Sequence, residues 1–323
     1  MLSTDVLVIG AGQAGLGTAY HLQRLGIRDV LVVEAGEVGQ SWLDRWDSLQ
    51  LFTPRRFSRL PGLRFPPGPT PTPSREEMAG HLREHARRWG LPVRTGTPVR
   101  RLTRDGDRFC AETPAGPVRA RHVVVASGAF RRPSVPAAAG DLAVPQLHSA
   151  DYRRPGDVPP GRVLVVGGGN SAAQLAVELA ATHEVTVASA REPRYLAERT
   201  LGVGLFDWLR LTGVLDADRD AWVSRRIRAR GDAIVGRELD RLRRRGVVRV
   251  LPHRVVSADG ARVGLSDGST EEVASVLWCT GFVPDTAWLE VPARWTTTAH
   301  PGTTAAPPRC PACTGWACPG RPG

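Results

Sequence analysis

The apolar positions of this chain follow one pattern twice. In the first copy, Asp5-Val-Leu-Val-Ile9 is a short run rich in β-branched residues, which predicts a strand buried on both faces. A turn from Gly10 through Gly12 to Gly15 follows at once. Leu16, Ala19, Leu22 and Leu25 then recur at helical spacing until Gly26 stops the helix. A second apolar strand over Val30 to Val33 ends on Glu34. The second copy opens with the strand Arg162-Val-Leu-Val-Val166 and turns through Gly167, Gly169, Asn170 and Ser171. Ala172, Leu175, Ala176, Leu179 and Ala180 then form a helical stripe, and Val185-Thr-Val187 is the next strand.

Between the copies lies a loop-rich stretch from Gly39 to Pro66, with Pro and Thr dominating to Pro73. Ser74 with Glu77 spells a capping box, and the helix it starts presents Met78, Leu82, Ala86 and Trp89 on one side. Turn signals at Asp105-Gly106 and Ala115-Gly116 break Val99 to Val118 into an antiparallel meander. His122 to Ala126 is a further buried strand, ending in Ser127-Gly128. After the second copy, Asp259-Gly260 and Asp267-Gly268 mark another meander. Val276 to Trp278 then ends in Cys279-Thr280-Gly281, an echo of the earlier strand end. The fold class expected is α/β, with two Rossmann-like dinucleotide-binding domains, each carrying a small meander. The expected boundaries are 1–157, 158–290 and a tail over 291–323.

Each turn has its own chemistry. Gly10 permits the tight turn, Gly12 lets a pyrophosphate approach the backbone, and Gly15 lets helix and strand pack closely. The phosphates then meet unpaired N–H groups at the positive end of the helix dipole. Glu34 stands where a carboxylate can accept both hydroxyls of an adenosine ribose, so the first site suits FAD. The second strand of the other copy ends without an acid. Ser189 and Arg191 could instead bind a 2′-phosphate, which favours NADPH, although Glu192 beside Arg191 opposes that preference.

Composition narrows the classes. The chain has 323 residues, 41% of them hydrophobic, enough for about two globular domains. No apolar run approaches the roughly 20 residues that span a membrane, and the first apolar stretch is already the first strand rather than a leader. A cytoplasmic location with no membrane insertion is expected. The net charge is +11, and all 43 basic residues are Arg. The Arg-dense stretches from Arg225 to Arg230 and Arg237 to Arg245 carry Ile227, Leu239 and Leu242 at helical spacing. They read as solvated helix faces rather than a nucleic-acid surface, because no aromatic platform accompanies the charge. Cys110 and Cys279 read as small core residues, and no metal site is expected. Oligomeric state leaves no signature in the sequence.

The stretches DVLVIGAGQAGL, SWLDRWDSLQLFTPRRFSRLPG, QLHSADYRRP, VLVVGGGNSA and VLWCTGFVPD, in that order over about residues 5 to 290, resemble the flavin-containing monooxygenase superfamily. Its bacterial CzcO-like branch is the most similar. The resemblance implies an FAD domain with an NADPH domain inserted into it. It assigns Gly10, Gly12, Gly15 and Glu34 to FAD, sets Gln40, Ser41 and Trp42 beside the flavin, and assigns Gly167, Gly169, Asn170, Ser171 and Arg191 to NADPH. The implied reaction takes a small-molecule substrate and dioxygen. A flavin hydroperoxide oxygenates a nucleophilic N or S atom or a ketone. The chain departs from the monooxygenase pattern at Leu142 and Val144, which replace a Phe and a Gly ahead of His148 and Tyr152. It departs again at Phe52, where the monooxygenases carry Asn, leaving Thr53 as the nearby polar candidate for a catalytic role. A reductase or oxidase without oxygen transfer is the enzyme alternative; an inactive fragment is the other. His148, Ser149 and Asp151 lie too close together in one loop to form a hydrolytic triad.

From about Ala293 the character changes to an aperiodic stretch rich in Pro, Gly, Thr and Cys. The family continues instead with an acidic turn and a strand of the type GLYxLGLPW. Read from the third base of each codon, Trp295-Thr296 forces an Asp and Trp316-Ala317 forces a Gly. With the remaining free bases chosen permissively, Pro311 to Gly320 yields GLYWLGLPW. A frameshift shortly after Pro292 is therefore expected, with a natural disordered tail as the alternative. The cluster Cys310, Cys313 and Cys318 is then a by-product of Leu codons read out of frame rather than a metal site. Loss of the closing strand would weaken FAD retention.

Overall fold

The computed structural model describes residues 2–218, 220–231 and 233–291; the tail for which a frameshift is expected, with its cysteines, lies outside the described residues. Two sheets organise the chain, each built around a glycine-turn strand. β1 (Leu2–Ile9) pairs in parallel with β2 (Val30–Val33), Val6 opposite Val30 and Ile9 opposite Val33. α1 (Gln13–Arg24) connects them and buries Leu16 and Ala19, the leucine side chain so removed from water stabilising the fold by roughly 2 kcal/mol. Leu25, expected on the same stripe, follows the last helical residue as the C-cap and is 66% exposed.

α2 (Gln40–Leu43) and α3 (Arg75–Arg88) cover this sheet. The capping box of α3 forms as expected: the Glu77 N–H donates to Ser74 Oγ, and the Ser74 N–H donates to the Glu77 carboxylate at 2.9 Å. Met78 and Leu82 are fully buried, with Ala86 and Trp89 packed beside them.

β3 (Val93–Arg94), β4 (Arg101–Asp105), β5 (Arg108–Glu112), β6 (Val118–Val125) and β21 (Leu289–Glu290) complete the first sheet, in the order β21-β4-β5-β6-β1-β2-β3. The expected antiparallel meander forms as β4, β5 and β6, within this sheet. β6 runs unbroken from Val118 through the strand expected at His122, antiparallel to β5 and parallel to β1.

The chain leaves through β7 (Arg132–Pro133) to β8 (Gln146–His148), the edge of the second sheet. That sheet also contains β9 (Arg162–Val166), β10 (Glu184–Ala188), β15 (Val248–Leu251) and β19 (Ser275–Trp278), ordered β15-β10-β9-β19-β8 and parallel throughout. α4 (Asn170–Leu179) buries Ala172, Leu175, Ala176 and Leu179 against it. β20 (Phe282–Val283) pairs antiparallel with β7 as the chain returns to the first sheet. The strand at Gln146–His148 thus belongs with the second sheet, and that at Leu289–Glu290 with the first.

The second meander stands apart as a three-stranded sheet of β16 (Val255–Asp259), β17 (Arg262–Leu265) and β18 (Thr270–Glu272). Two short ladders, β11 (Tyr195–Leu196) with β14 (Ile234–Val235) and β12 (Arg199–Thr200) with β13 (Val203–Gly204), accompany α5 (Leu205–Leu211), α6 (Trp222–Ala229) and α7 (Glu238–Arg244). Leu239 is buried and Leu242 partly so, but Ile227 is 47% exposed, because α6 does not lay that position on the core. Among the described residues no helix is long and apolar enough to cross a membrane.

Candidate active site

The two glycine turns divide their labour in the same way. Gly10 has φ +108°, and a Cβ there would stand 2.4 Å from the Ala126 carbonyl oxygen. A Cβ on Gly15 would lie 1.8 Å from the Gly10 carbonyl oxygen, so only glycine lets α1 pack this close. Around Gly12 nothing lies within 4 Å of that position. No side chain caps α1, so its first-turn N–H groups face this open space without intrahelical partners. At the second turn Gly167 has φ +150°, with the Cys279 carbonyl oxygen 2.4 Å from a would-be Cβ, while Gly169 again opens on nothing within 4 Å. α4 likewise lacks a side-chain cap. Ala172, in place of the third glycine, is buried. Both turns are cradles that a side chain would fill, which is the shape a pyrophosphate needs.

Glu34 closes the first cradle. Its carboxylate accepts the Ala11 N–H at 2.6 Å and the Gly36 N–H at 3.3 Å, which orients it at the turn with lone pairs to spare for ribose hydroxyls. At α2, Gln40 donates to Asp44 at 2.7 Å and Ser41 is exposed. Trp42 packs between the two main cores and reaches a cavity of about 230 Å³.

That cavity brings the two turns together. Gln13 at the start of α1 lines it, as do Asn170 and Ser171 at the start of α4. Trp42, Trp46, Leu49, Leu51, Phe52 and Phe57 form its apolar walls, while Gln50, Thr53, Ser58 and Gln174 supply polar groups; no lining residue is charged. The Gln174 amide donates to the Gln50 carbonyl at 3.0 Å, tying α4 to the loop. The Ser58 hydroxyl donates to the Thr53 carbonyl at 3.1 Å and so holds Thr53 in the wall. On the outer side Phe206 of α5 stacks on Phe52, ring centroids 6.4 Å apart, and packs on Phe57, while Asp207 pairs with Arg56. Sequence reasoning found Trp42, Thr53, Asn170 and Ser171. It missed Trp46, Leu49, Phe57 and Gln174, which lie in an aperiodic loop or on the second turn of α4.

Asn170 is already engaged: its amide donates to the Ala233 carbonyl at 3.2 Å and accepts the Val235 N–H at 2.8 Å. It binds β14 to the turn. Ser189 does not reach outward as expected. It is buried, and its hydroxyl donates to the Arg191 carbonyl at 2.7 Å, shaping the turn that presents Arg191. Glu192 pairs with Arg243 of α7.

His148 is occupied by backbone. Its Nδ1 accepts the Ala150 N–H at 3.1 Å, which leaves Nε2 to donate to the Gly281 carbonyl at 3.1 Å, and burial holds the imidazole below its ordinary range. No hydrolytic triad forms with Ser149 and Asp151. Tyr152 is fully buried and donates to Glu178 at 3.1 Å. Cys110 and Cys279 are both free thiols, and burial pushes the Cys279 thiol up to about 12, far from the thiolate state a redox centre requires.

Comparison with known proteins gives a consistent picture. The family described as pyridine nucleotide-disulphide oxidoreductase matches residues 7–205. An uncharacterized CzcO-like oxidoreductase of Geobacillus kaustophilus is 37% identical over 290 residues, covering 89% of this chain and 83% of that protein. The uncharacterized oxidoreductase CzcO of Bacillus velezensis is 34% identical over 289 residues, covering 89% and 84%. Among solved structures, a flavin-containing monooxygenase from Stenotrophomonas maltophilia superposes with a TM-score of 0.71 at 30% identity, over 90% of this chain and 81% of that one.

Proposed function

Because the chain belongs to the pyridine nucleotide-disulphide oxidoreductase family, in company with the CzcO-like oxidoreductases, we propose that it is a monooxygenase that oxygenates a small nucleophilic substrate at N, S or a ketone. It is an oxidoreductase, and its cofactors are FAD and NADPH. The observation that carries the proposal is that two open dinucleotide cradles begin their helices at the wall of one cavity, through Gln13 on one side and Asn170 and Ser171 on the other. A hydride donor and its acceptor must meet face to face, and this arrangement suits that meeting.

In this reading Gly10, Gly12, Gly15 and Glu34 hold the FAD pyrophosphate and ribose, with Gln40, Ser41 and Trp42 beside the ring. Gly167, Gly169, Asn170, Ser171 and Arg191 hold NADPH. The two sheets are nested domains, the NADPH domain inserted into the FAD domain. Bound FAD supplies the acceptance of hydride and the activation of dioxygen. The chain's own part is to bind, orient and exclude water. The aromatic wall from Trp42 to Phe57 shields that side of the cavity from water, and the lack of charge in the lining favours an uncharged substrate. In the same reading Thr53, which lines the cavity, holds a hydrogen bond to the reacting oxygen through its hydroxyl.

The test is oxygen transfer. With labelled dioxygen, NADPH and a panel of thioethers, tertiary amines and ketones, label should enter a product. Phe52, which lines the cavity and accepts no hydrogen bond, favours a second reading, NADPH oxidation with release of peroxide. Peroxide formed in equal amount to NADPH consumed, with no labelled product from any substrate, would select it.

A further inference from the structure

An acid one residue from Arg191 sets a negative charge beside the place where a phosphate monoester would bind. In the structure the Glu192 carboxylate turns to α7 and pairs with the Arg243 guanidinium. That carboxylate in turn raises the Arg243 guanidinium above its ordinary range. The two neighbouring arginines face the residues that follow α6 instead. The Arg194 guanidinium donates to the Arg230 carbonyl at 3.0 Å, and Arg191 Nη1 lies 3.6 Å from where a Cβ on Gly231 would stand. The buried Ser189 hydroxyl, bonded to the Arg191 carbonyl, fixes the turn between these two directions. The turn therefore sorts its charges, with Arg191 and Arg194 on the side of Arg230 and Gly231 and Glu192 on the side of α7.

We propose that Arg243 is a positioning residue for dinucleotide choice: it latches Glu192 away from Arg191, so that the turn accepts the 2′-phosphate of NADPH in preference to the bare ribose of NADH. This rests on the reading of the second cradle as the NADPH site. Neither partner touches the cavity, so the latch acts on affinity and not on the chemistry.

The experiment is calorimetric titration of the full chain with 2′,5′-ADP and with 5′-ADP, which differ by the one phosphate and need no turnover. Arg243→Gln should weaken 2′,5′-ADP about fivefold and leave 5′-ADP unchanged, the cost of a like charge roughly 4 Å away in water. Glu192→Gln with Arg243→Gln should restore the wild-type ratio within about twofold, and Glu192→Gln alone should keep or raise it. An unchanged ratio in Arg243→Gln overturns the latch. A double variant as weak as Arg243→Gln also overturns it, because Arg243 would then be touching the phosphate itself. Wild-type protein that binds both nucleotides equally overturns the NADPH reading and the latch together, whereas failure confined to the variants overturns the latch alone. Both side chains are largely on the surface, 37% and 54% exposed, so thermal unfolding of each variant should match wild type.

Discussion

Gly12→Ser separates cofactor binding from folding. Gly12 has φ −77° and ψ −172°, an extended conformation that serine adopts freely, and it is the N-cap of α1, where serine is a favoured residue. With nothing within 4 Å of the new Cβ, stability should stay within about 1 kcal/mol of wild type, or about 3 °C in the unfolding midpoint. The same side chain fills the space above the first-turn N–H groups. A pyrophosphate held off by it forfeits one charge-assisted hydrogen bond or more, each worth roughly 1.5–3 kcal/mol, so FAD affinity should fall roughly 10- to 100-fold. Gly15→Ser is the control with the opposite signature. Its Cβ would lie 1.8 Å from a backbone oxygen that has no side-chain freedom to move aside. It should lose about 3 kcal/mol or more, and at least about 6 °C. The assay is the visible flavin band per protein after incubation with excess FAD, read beside a thermal melt. Gly12→Ser that keeps wild-type flavin occupancy, or that melts with Gly15→Ser, would refute the division of labour between the glycines.

Three further outcomes follow from the same geometry. Gly169→Ser, at the equivalent open position of the second turn, should retain flavin but bind NADP⁺ at least about tenfold more weakly by titration; a parallel loss of flavin would contradict the assignment of separate cradles. Thr53→Val should leave reduction of the flavin by NADPH unchanged while oxygenated product falls roughly tenfold and peroxide rises; equal product would remove Thr53 from the reaction. Burial holds His81 and His85 below the ordinary imidazole range, so the folded chain resists protons that the unfolded chain takes up. Their contribution to stability is full above pH about 6.5 and is lost as pH falls below it toward the lowered values. His81 Nε2 accepts the Leu60 N–H at 3.3 Å, and an amide oxygen can replace that acceptor without titrating, so the melting point of His81→Gln should fall less on acidification than that of wild type; equal falls would refute the account.

The glycine turns were legible because much of their chemistry is local: in the first, the positive φ of Gly10, the approach of Gly15 to the Gly10 carbonyl and the helix start fall within six residues. Family membership was legible for the same reason, since the motifs that carry it sit at such turns. Helical spacing predicted the buried faces of α3 and α4 but overreached at Leu25 and Ile227. Periodicity reports which side of a helix is apolar, not where the helix ends or whether a neighbour covers it. The unbroken β6 was hidden because Ala120, Arg121 and His122 look like a boundary when burial along one strand changes. Ser189 carries the right group for a phosphate, yet only the fold shows its hydroxyl spent on the Arg191 carbonyl. The cavity wall was the least legible part. Trp46, Leu49 and Phe57 have no period, and Gln174 reaches them from a helix more than a hundred residues away through its bond to the Gln50 carbonyl.

The central claim is that both cradles serve one cavity, and anaerobic mixing of the FAD-loaded chain with NADPH tests it most directly. The account predicts that the flavin band bleaches on mixing, faster with NADPH than with NADH at equal concentration. A flavin that is bound, reducible by dithionite and untouched by either nucleotide would contradict it.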